Sequence, residues 1–185
     1  FRWGKVVTDQ TARLLLKQML TAAISAADPS ICLPSFLPSP PTGKTIVLGA
    51  GKAGARMAET IEAQWKGPIS GLVIVPYGYR SSCKDIEIVE ASHPIPDTNG
   101  QNATEQIIQK VKNLSNEDLV VFLISGGASA LFFSPLRGIS FDQKQKINEK
   151  LLKSGAPISE MNIVRQSISS VKGGRFAQLI YPGKL

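Results

Sequence analysis

Four short apolar runs, each leading into a glycine- or proline-marked turn, constrain this chain more than anything else in it. They are KTIVLGA (44–50), GLVIVPYG (71–78), IEIVEAS (86–92) and DLVVFLIS (118–125). Such runs are too short for buried helices, and most lack the polar alternation of a strand with one wet face. Strands buried on both faces and separated by helix-length stretches make a parallel sheet with right-handed crossovers. The fold class expected is therefore α/β: a Rossmann-like, three-layer domain with a mainly parallel sheet, incomplete at the C-terminus. No internal repeat is visible.

Helical patterns fill the gaps. Residues 8–28 carry an amphipathic pattern capped by Thr8 or Asp9, and this helix is expected to pack back onto the α/β domain. Lys52–Trp65, 98–114, 128–134, 140–153, 158–170 and 175–180 read as further helices, with Ser140 and Gln143 at capping-box spacing. Prolines 29, 34, 38, 40 and 41 argue against any regular element between 29 and 41. The division expected is a helix and proline-rich linker over 1–43, then the Rossmann-like domain over 44–185.

Composition narrows the function classes. The net charge of +7 is uneven: residues 1–60 carry +4, 61–136 carry −3 and 137–185 carry +6. The lysines at 144, 146, 150 and 153 interleave with Asp142 and Glu149, which reads as a solvated helix face. Aromatic residues do not alternate with the basic ones, so no nucleic-acid stacking platform is expected. The longest apolar run of the second half, LVVFLI, is far too short to span a bilayer, so no membrane partner is expected either. Small anions are the better use of the excess charge. One histidine and two unspaced cysteines, Cys32 and Cys83, build no zinc site, and the expected setting is cytoplasmic. The opening FRWGKVV has neither an initiator Met nor a signal-peptide core, and the chain is expected to be cut at that end.

In a parallel sheet, ligands bind where strands end and helices begin. Two glycine turns fall there: Gly49-Ala-Gly51-Lys52-Ala-Gly54, a literal GxGxxG, and Ser125-Gly126-Gly127-Ala128-Ser129. Each is expected to leave backbone N–H groups free at a helix N-terminus, which favours phosphate or carboxylate. Either alone is more often a tight packing turn. Two together, with a lysine in one and two hydroxyls in the other, point to an anion site.

Neither standard nucleotide loop is matched. The second strand ends in Tyr79-Arg80-Ser81-Ser82 without an acidic ribose hook, although those residues could take an NADP phosphate. Lys52 is followed by Ala53 rather than Ser or Thr, so the Walker pattern fails too. His93 and Asp97 lie in a proline-stiffened loop, SHPIPD, where Asp97 also suits a helix cap. Arg165, Lys172 and Arg175 add cations beside Gly173-Gly174.

In order, GAGKA (49–53), VPYG (75–78), EASHPIPD (90–97), LISGGASAL (123–131), LLKSGAPISEMNIVRQ (151–166) and KGGR (172–175) resemble the N-terminal domain of the glycerate 2-kinases with a C-terminal MOFRL domain. Some members of that family are labelled hydroxypyruvate reductase. The resemblance implies ATP-dependent phosphorylation of D-glycerate with Mg²⁺, in a cleft between this domain and the MOFRL domain. It implies Lys52 as the catalytic cation and Gly49, Gly51 and Gly54 in nucleotide binding. Ser125, Gly126, Gly127, Ser129, Arg165, Lys172 and Arg175 would meet substrate, with His93 and Asp97 as loop contacts.

The pattern departs from the family at Ala128, where a glycine is usual, and at Gln166-Ser167, where Lys-His is usual. The catalytic carboxylate and metal ligands are expected beyond Leu185, and an uncovered cleft face would favour self-association. An NADP-dependent hydroxypyruvate reductase and a non-catalytic phosphosugar-binding domain are the alternatives.

Overall fold

A computed structural model describes residues 8–185. Its four strands, β1 (Thr45–Ala50), β2 (Ile69–Pro76), β3 (Ile86–Ala91) and β4 (Leu119–Ile124), are all parallel in the order β3-β2-β1-β4. Val47 lies opposite Gly71 on one side and Val121 on the other, so β1 is central and wholly buried. Successive residues feed two cores, as a sheet covered on both faces requires. Ile46, Leu48, Ala50, Leu72 and Ile74 pack with Ala103 and Ile107 of α4 (Thr98–Lys110) and with Phe176 and Ile180 of α8 (Arg175–Ile180). Val47, Val73 and Val75 pack with Ala55, Ala58 and Ile61 of α3 (Gly54–Gln64). This is the expected three-layer α/β domain.

The remaining helices are α1 (Asp9–Ala26), α2 (Pro29–Cys32), α5 (Ala128–Leu131), α6 (Phe141–Lys153) and α7 (Ile158–Ser167). Their boundaries depart from the sequence expectation for identifiable reasons. α3 starts two residues late because the amides of 51–53 bond elsewhere. α7 stops at Ser167 because residues 168–170 turn aside to pair with 134–136.

Two expectations fail at the N-terminal side. The α1 helix buries no residue, and Leu15, Met19, Leu20 and Ile24 are all exposed, so it does not pack back onto the domain. The proline-rich stretch is not irregular: α2 and a 3₁₀ turn (Pro34–Phe36) lie within it. Proline is tolerated there because it occupies the first helical position, whose N–H needs no partner. The Asp28 carboxylate caps α2 by accepting from Ser30 N at 2.8 Å, and Leu33 and Leu37 then settle on the α3-side core. The first seven residues of the expected 1–43 segment lie outside the described residues.

Asp118 fixes the start of β4. Its Oδ1 accepts from Lys44 N at 2.7 Å, and its Oδ2 accepts from Ser115 N at 2.7 Å and Ser115 Oγ at 3.0 Å. The Ser115 amide, then that of Lys44, holds this carboxyl below the usual carboxylate range. A depressed folded value stabilises the fold above the unfolded value of about 3.9, and that contribution is lost as pH falls through the folded value. The urea midpoint of the native chain should therefore exceed that of Asp118→Asn near neutrality, with the gap closing below about pH 4. A gap unchanged by pH would contradict this role.

Candidate functional site

Both glycine turns emerge at the same edge of the sheet because β1 and β4 are adjacent and parallel. They also bond to each other. Lys52 N donates to Gly126 O (2.9 Å), Ala53 N to Ser125 Oγ (3.0 Å) and Ser125 N to Ala50 O (3.2 Å). Gly51 N donates to Ile74 O and Gly54 N to Gly51 O, both at 3.0 Å. All four amides of 51–54 are thus engaged within the protein, contrary to the expectation that this turn leaves N–H groups free.

Its glycines serve the junction instead. A Cβ on Gly49 would lie 2.5 Å from Leu123 O, and one on Gly51, where φ is +135°, would strike Ser125 Oγ. What the first turn presents outward is the exposed Lys52 side chain.

The second turn behaves as expected. The amides of Gly126 and Gly127 find no acceptor among the described residues. Gly127 adopts a φ of +93°, and a Cβ there would sit 2.9 Å from His93 Nε2 and 3.6 Å from Lys52 Cγ. Lys52, His93 and Gly127 therefore share one spot. Asp97 is not brought to it: its Oδ1 caps α4 through Gly100 N at 3.0 Å and its Oδ2 accepts from Tyr77 Oη at 2.8 Å. Glu90 likewise accepts from Gly78 N.

Beyond Ser129 a cleft of ≈ 610 Å³ opens between the 94–96 loop, α5, α6 and α7. Ser129, Lys144, Asn148, Asn162, Arg165 and Lys172 line it. Lys172 Nζ donates to Ser129 Oγ at 3.1 Å, which ties the cleft to the second glycine turn. Arg165 Nε donates to Asn148 Oδ1 at 3.3 Å. Arg175 acts differently from Arg165 and Lys172. Its Nη1 donates to the carbonyls of Gln166, Ser169 and Lys172 at 2.7, 3.1 and 3.3 Å, clamping the segment that carries Lys172.

Sequence reasoning missed Lys144. It is 6% exposed, with its amine 4.7 Å from the centroid of the Phe133 ring, and so is not part of a solvated face. The signal was present: Phe141, Lys144, Asn148 and Leu151 recur at helical spacing, which puts Lys144 on the inward stripe of α6.

The stretch Arg80-Ser81-Ser82 leads away from this edge. Ser81 Oγ donates to Glu59 Oε2 at 2.8 Å, and the Glu62 carboxylate takes the amides of Lys84, Asp85 and Ile86. Any phosphate held there would face two carboxylates. The hydrogen bond from Ser81, then that from Arg56, keeps Glu59 below its ordinary range.

No group of three or more His, Cys, Asp or Glu side chains able to hold a metal ion occurs among the described residues. None of the described helices is long and apolar enough to cross a membrane.

Comparison with known proteins matches this arrangement to a sequence family. A D-glycerate 2-kinase of Thermotoga maritima is 39% identical over 178 residues, 95% of this chain and 43% of that protein. An Agrobacterium vitis protein, provisionally named a hydroxypyruvate reductase, is 45% identical over 178 residues, 96% of this chain and 41% of that protein. The crystal structure of the Thermotoga maritima glycerate kinase superposes with a TM-score of 0.86 at 38% identity, covering 95% of this chain and 43% of that one. A Pyrococcus horikoshii structure gives 0.83 at 34% identity, covering 97% and 43%. The chain thus spans less than half the length of these relatives. A family described as a domain of unknown function, DUF4147, matches residues 15–185, and the chain belongs to that family.

Proposed function

We propose that this chain is the N-terminal part of a glycerate 2-kinase, which transfers the γ-phosphoryl group of ATP to D-glycerate. One observation carries the reading: Lys52 and the unpaired amides of Gly126 and Gly127 meet at one sheet edge, beside a cleft lined by Lys172 and Arg165. Phosphoryl transfer is mainly positioning plus electrostatic stabilisation, and fixed N–H groups and cations supply both. Lys52 neutralises charge on the transferring phosphoryl group, and the Gly126 and Gly127 amides hold its oxygens or those of the acceptor. The Lys172 amine and the Arg165 guanidinium orient the acceptor, and Arg175 keeps Lys172 in place. Gly49 and Gly51 act on the nucleotide indirectly, by letting the two turns meet, and Gly54 by letting α3 start against Val73 of β2.

The reading leaves the Mg²⁺ ligands and the acceptor of the hydroxyl proton to a C-terminal MOFRL domain that closes over this edge. Free Cys32 and Cys83 accord with a cytoplasmic enzyme.

The second reading, an NADP-dependent hydroxypyruvate reductase, has only relatives' names behind it. The residues it would use, Arg80 to Ser82, lie with Glu59 and Glu62. The test uses the protein continued to the length of its relatives. Labelled phosphate should pass from ATP to D-glycerate, and NADPH should not be oxidised by hydroxypyruvate. NADPH oxidation without phosphate transfer would overturn the proposal.

A further inference from the structure

Lys144 lines the cleft with most of its surface packed away, and no hydrogen bond or ion pair holds its amine among the described residues. Trp65 Nε1 is the one fully buried side-chain nitrogen or oxygen without a partner among them, so the Lys144 amine keeps access to solvent at the cleft. The Phe133 ring face attracts the amine but compensates only part of the hydration it has lost. The cleft holds two more cations, Lys172 and Arg165, and neither makes an ion pair. The ion pairs of the described residues are confined to Arg13 and Arg56.

Of the groups facing Lys144, Lys172 lies just beyond α7, Arg165 lies on α7, and Glu149 on α6 is the one carboxylate lining the cleft. Burial, then Lys172 and Arg165, pushes the Lys144 amine down to about 8. Burial and then Arg165 lower Lys172 as well. Near neutrality an arriving anion therefore still finds a largely protonated amine, and that charge fades as pH rises past about 8. Three converging cations with so little local counter-charge make a site that is complete only with an anion bound.

We propose that Lys144, with Lys172 and Arg165, binds the carboxylate of a small 2-hydroxy acid, while Lys52 and the Gly126–Gly127 amides face the phosphoryl end. The assignment rests on the kinase reading for its second half only. A carboxylate fits better than a second phosphate because the polar lining beside the cations is mostly neutral amide. Gln145, Asn148 and Asn162 suit the hydroxyl groups of a hydroxy acid, and Ser129 joins the cleft to the glycine turn. Lys144 is then a specificity residue, set on the inward stripe of α6 to hold one end of the acceptor.

Calorimetric titration of the chain with D-glycerate and, separately, with inorganic phosphate tests this. Lys144→Met keeps the aliphatic stem over Phe133 and removes only the charge. D-Glycerate should bind the variant at least about ten-fold more weakly than the native chain, while exposed Lys146→Met leaves binding unchanged. The melting temperature of ligand-free Lys144→Met should hold, since the amine makes no hydrogen bond or ion pair among the described residues and methionine keeps the stem in place. A purely structural lysine would instead give a fall in melting temperature.

Unchanged D-glycerate affinity in Lys144→Met would overturn the proposal. So would a native chain that binds phosphate but not D-glycerate, or a variant that melts several degrees lower. D-Glycerate binding that depends on Lys144, in a full-length protein that transfers no phosphate, would sink the kinase reading and leave this one standing.

Discussion

Lys52→Met, made in the full-length protein, is expected to lower turnover by about 10²- to 10³-fold, the usual effect of removing one group aimed at transition-state charge. Its melting temperature should barely move. Both halves stem from where the residue sits. The side chain is exposed, while the backbone amide that joins the two turns, donating to Gly126 O, survives the change to methionine. Methionine preserves the length of the stem and deletes only the ammonium. Steady-state kcat with saturating D-glycerate and ATP, measured beside a thermal melt, separates the two effects. Turnover within a few-fold of the native value would show that Lys52 does not face the reacting group.

The second large effect concerns stability. Gly49→Ala should destabilise the domain by roughly 3 kcal/mol, the upper range for overpacking a closely fitted interior. The new Cβ would lie 2.5 Å from Leu123 O and 2.7 Å from Leu123 Cβ. A backbone carbonyl in a paired strand cannot rotate away as a flexible side-chain end can. Relief would require β1 and β4 to separate, and that would also part the two glycine turns. Urea unfolding of the variant measures the cost, and a change of only a few tenths of a kcal/mol would mean that the strands do not approach so closely. Activity should fall along with stability in this variant, in contrast to Lys52→Met.

The sheet was legible in the sequence because burial writes β1, β2 and β4 largely as continuous apolar runs, while the edge strand β3 carries Glu87 and Glu90. Val47 and Leu48 serve opposite cores, so both had to be apolar. The shared edge of the two turns followed from parallel strands alone. The donors left free at that edge could not be read. GxGxxG looks the same whether its glycines admit a pyrophosphate or, as at Gly51, a neighbouring serine.

Lys144 was misread because alternating charge is also the mark of a solvated helix. Only its position three residues after Phe141 distinguishes it from Lys146 and Lys150. Arg175 was expected to meet substrate. Its use as a clamp on three carbonyls depends on a loop path that no local pattern encodes. The exposed stripe of α1 shows the limit from the other side. Amphipathic spacing gave the helix correctly, but spacing does not say what covers the apolar face.

The central claim is that the two glycine turns and the neighbouring cations form one anion-binding edge. Amide-resolved NMR titration of the chain with D-glycerate tests it most directly, because the groups said to bind include free backbone N–H donors. The largest shifts should fall on Gly126, Gly127 and Ser129, with smaller ones around Lys52, His93 and Lys172, and added salt should reverse them. Shifts confined to residues 80–88, or none at the second glycine turn, would contradict the account.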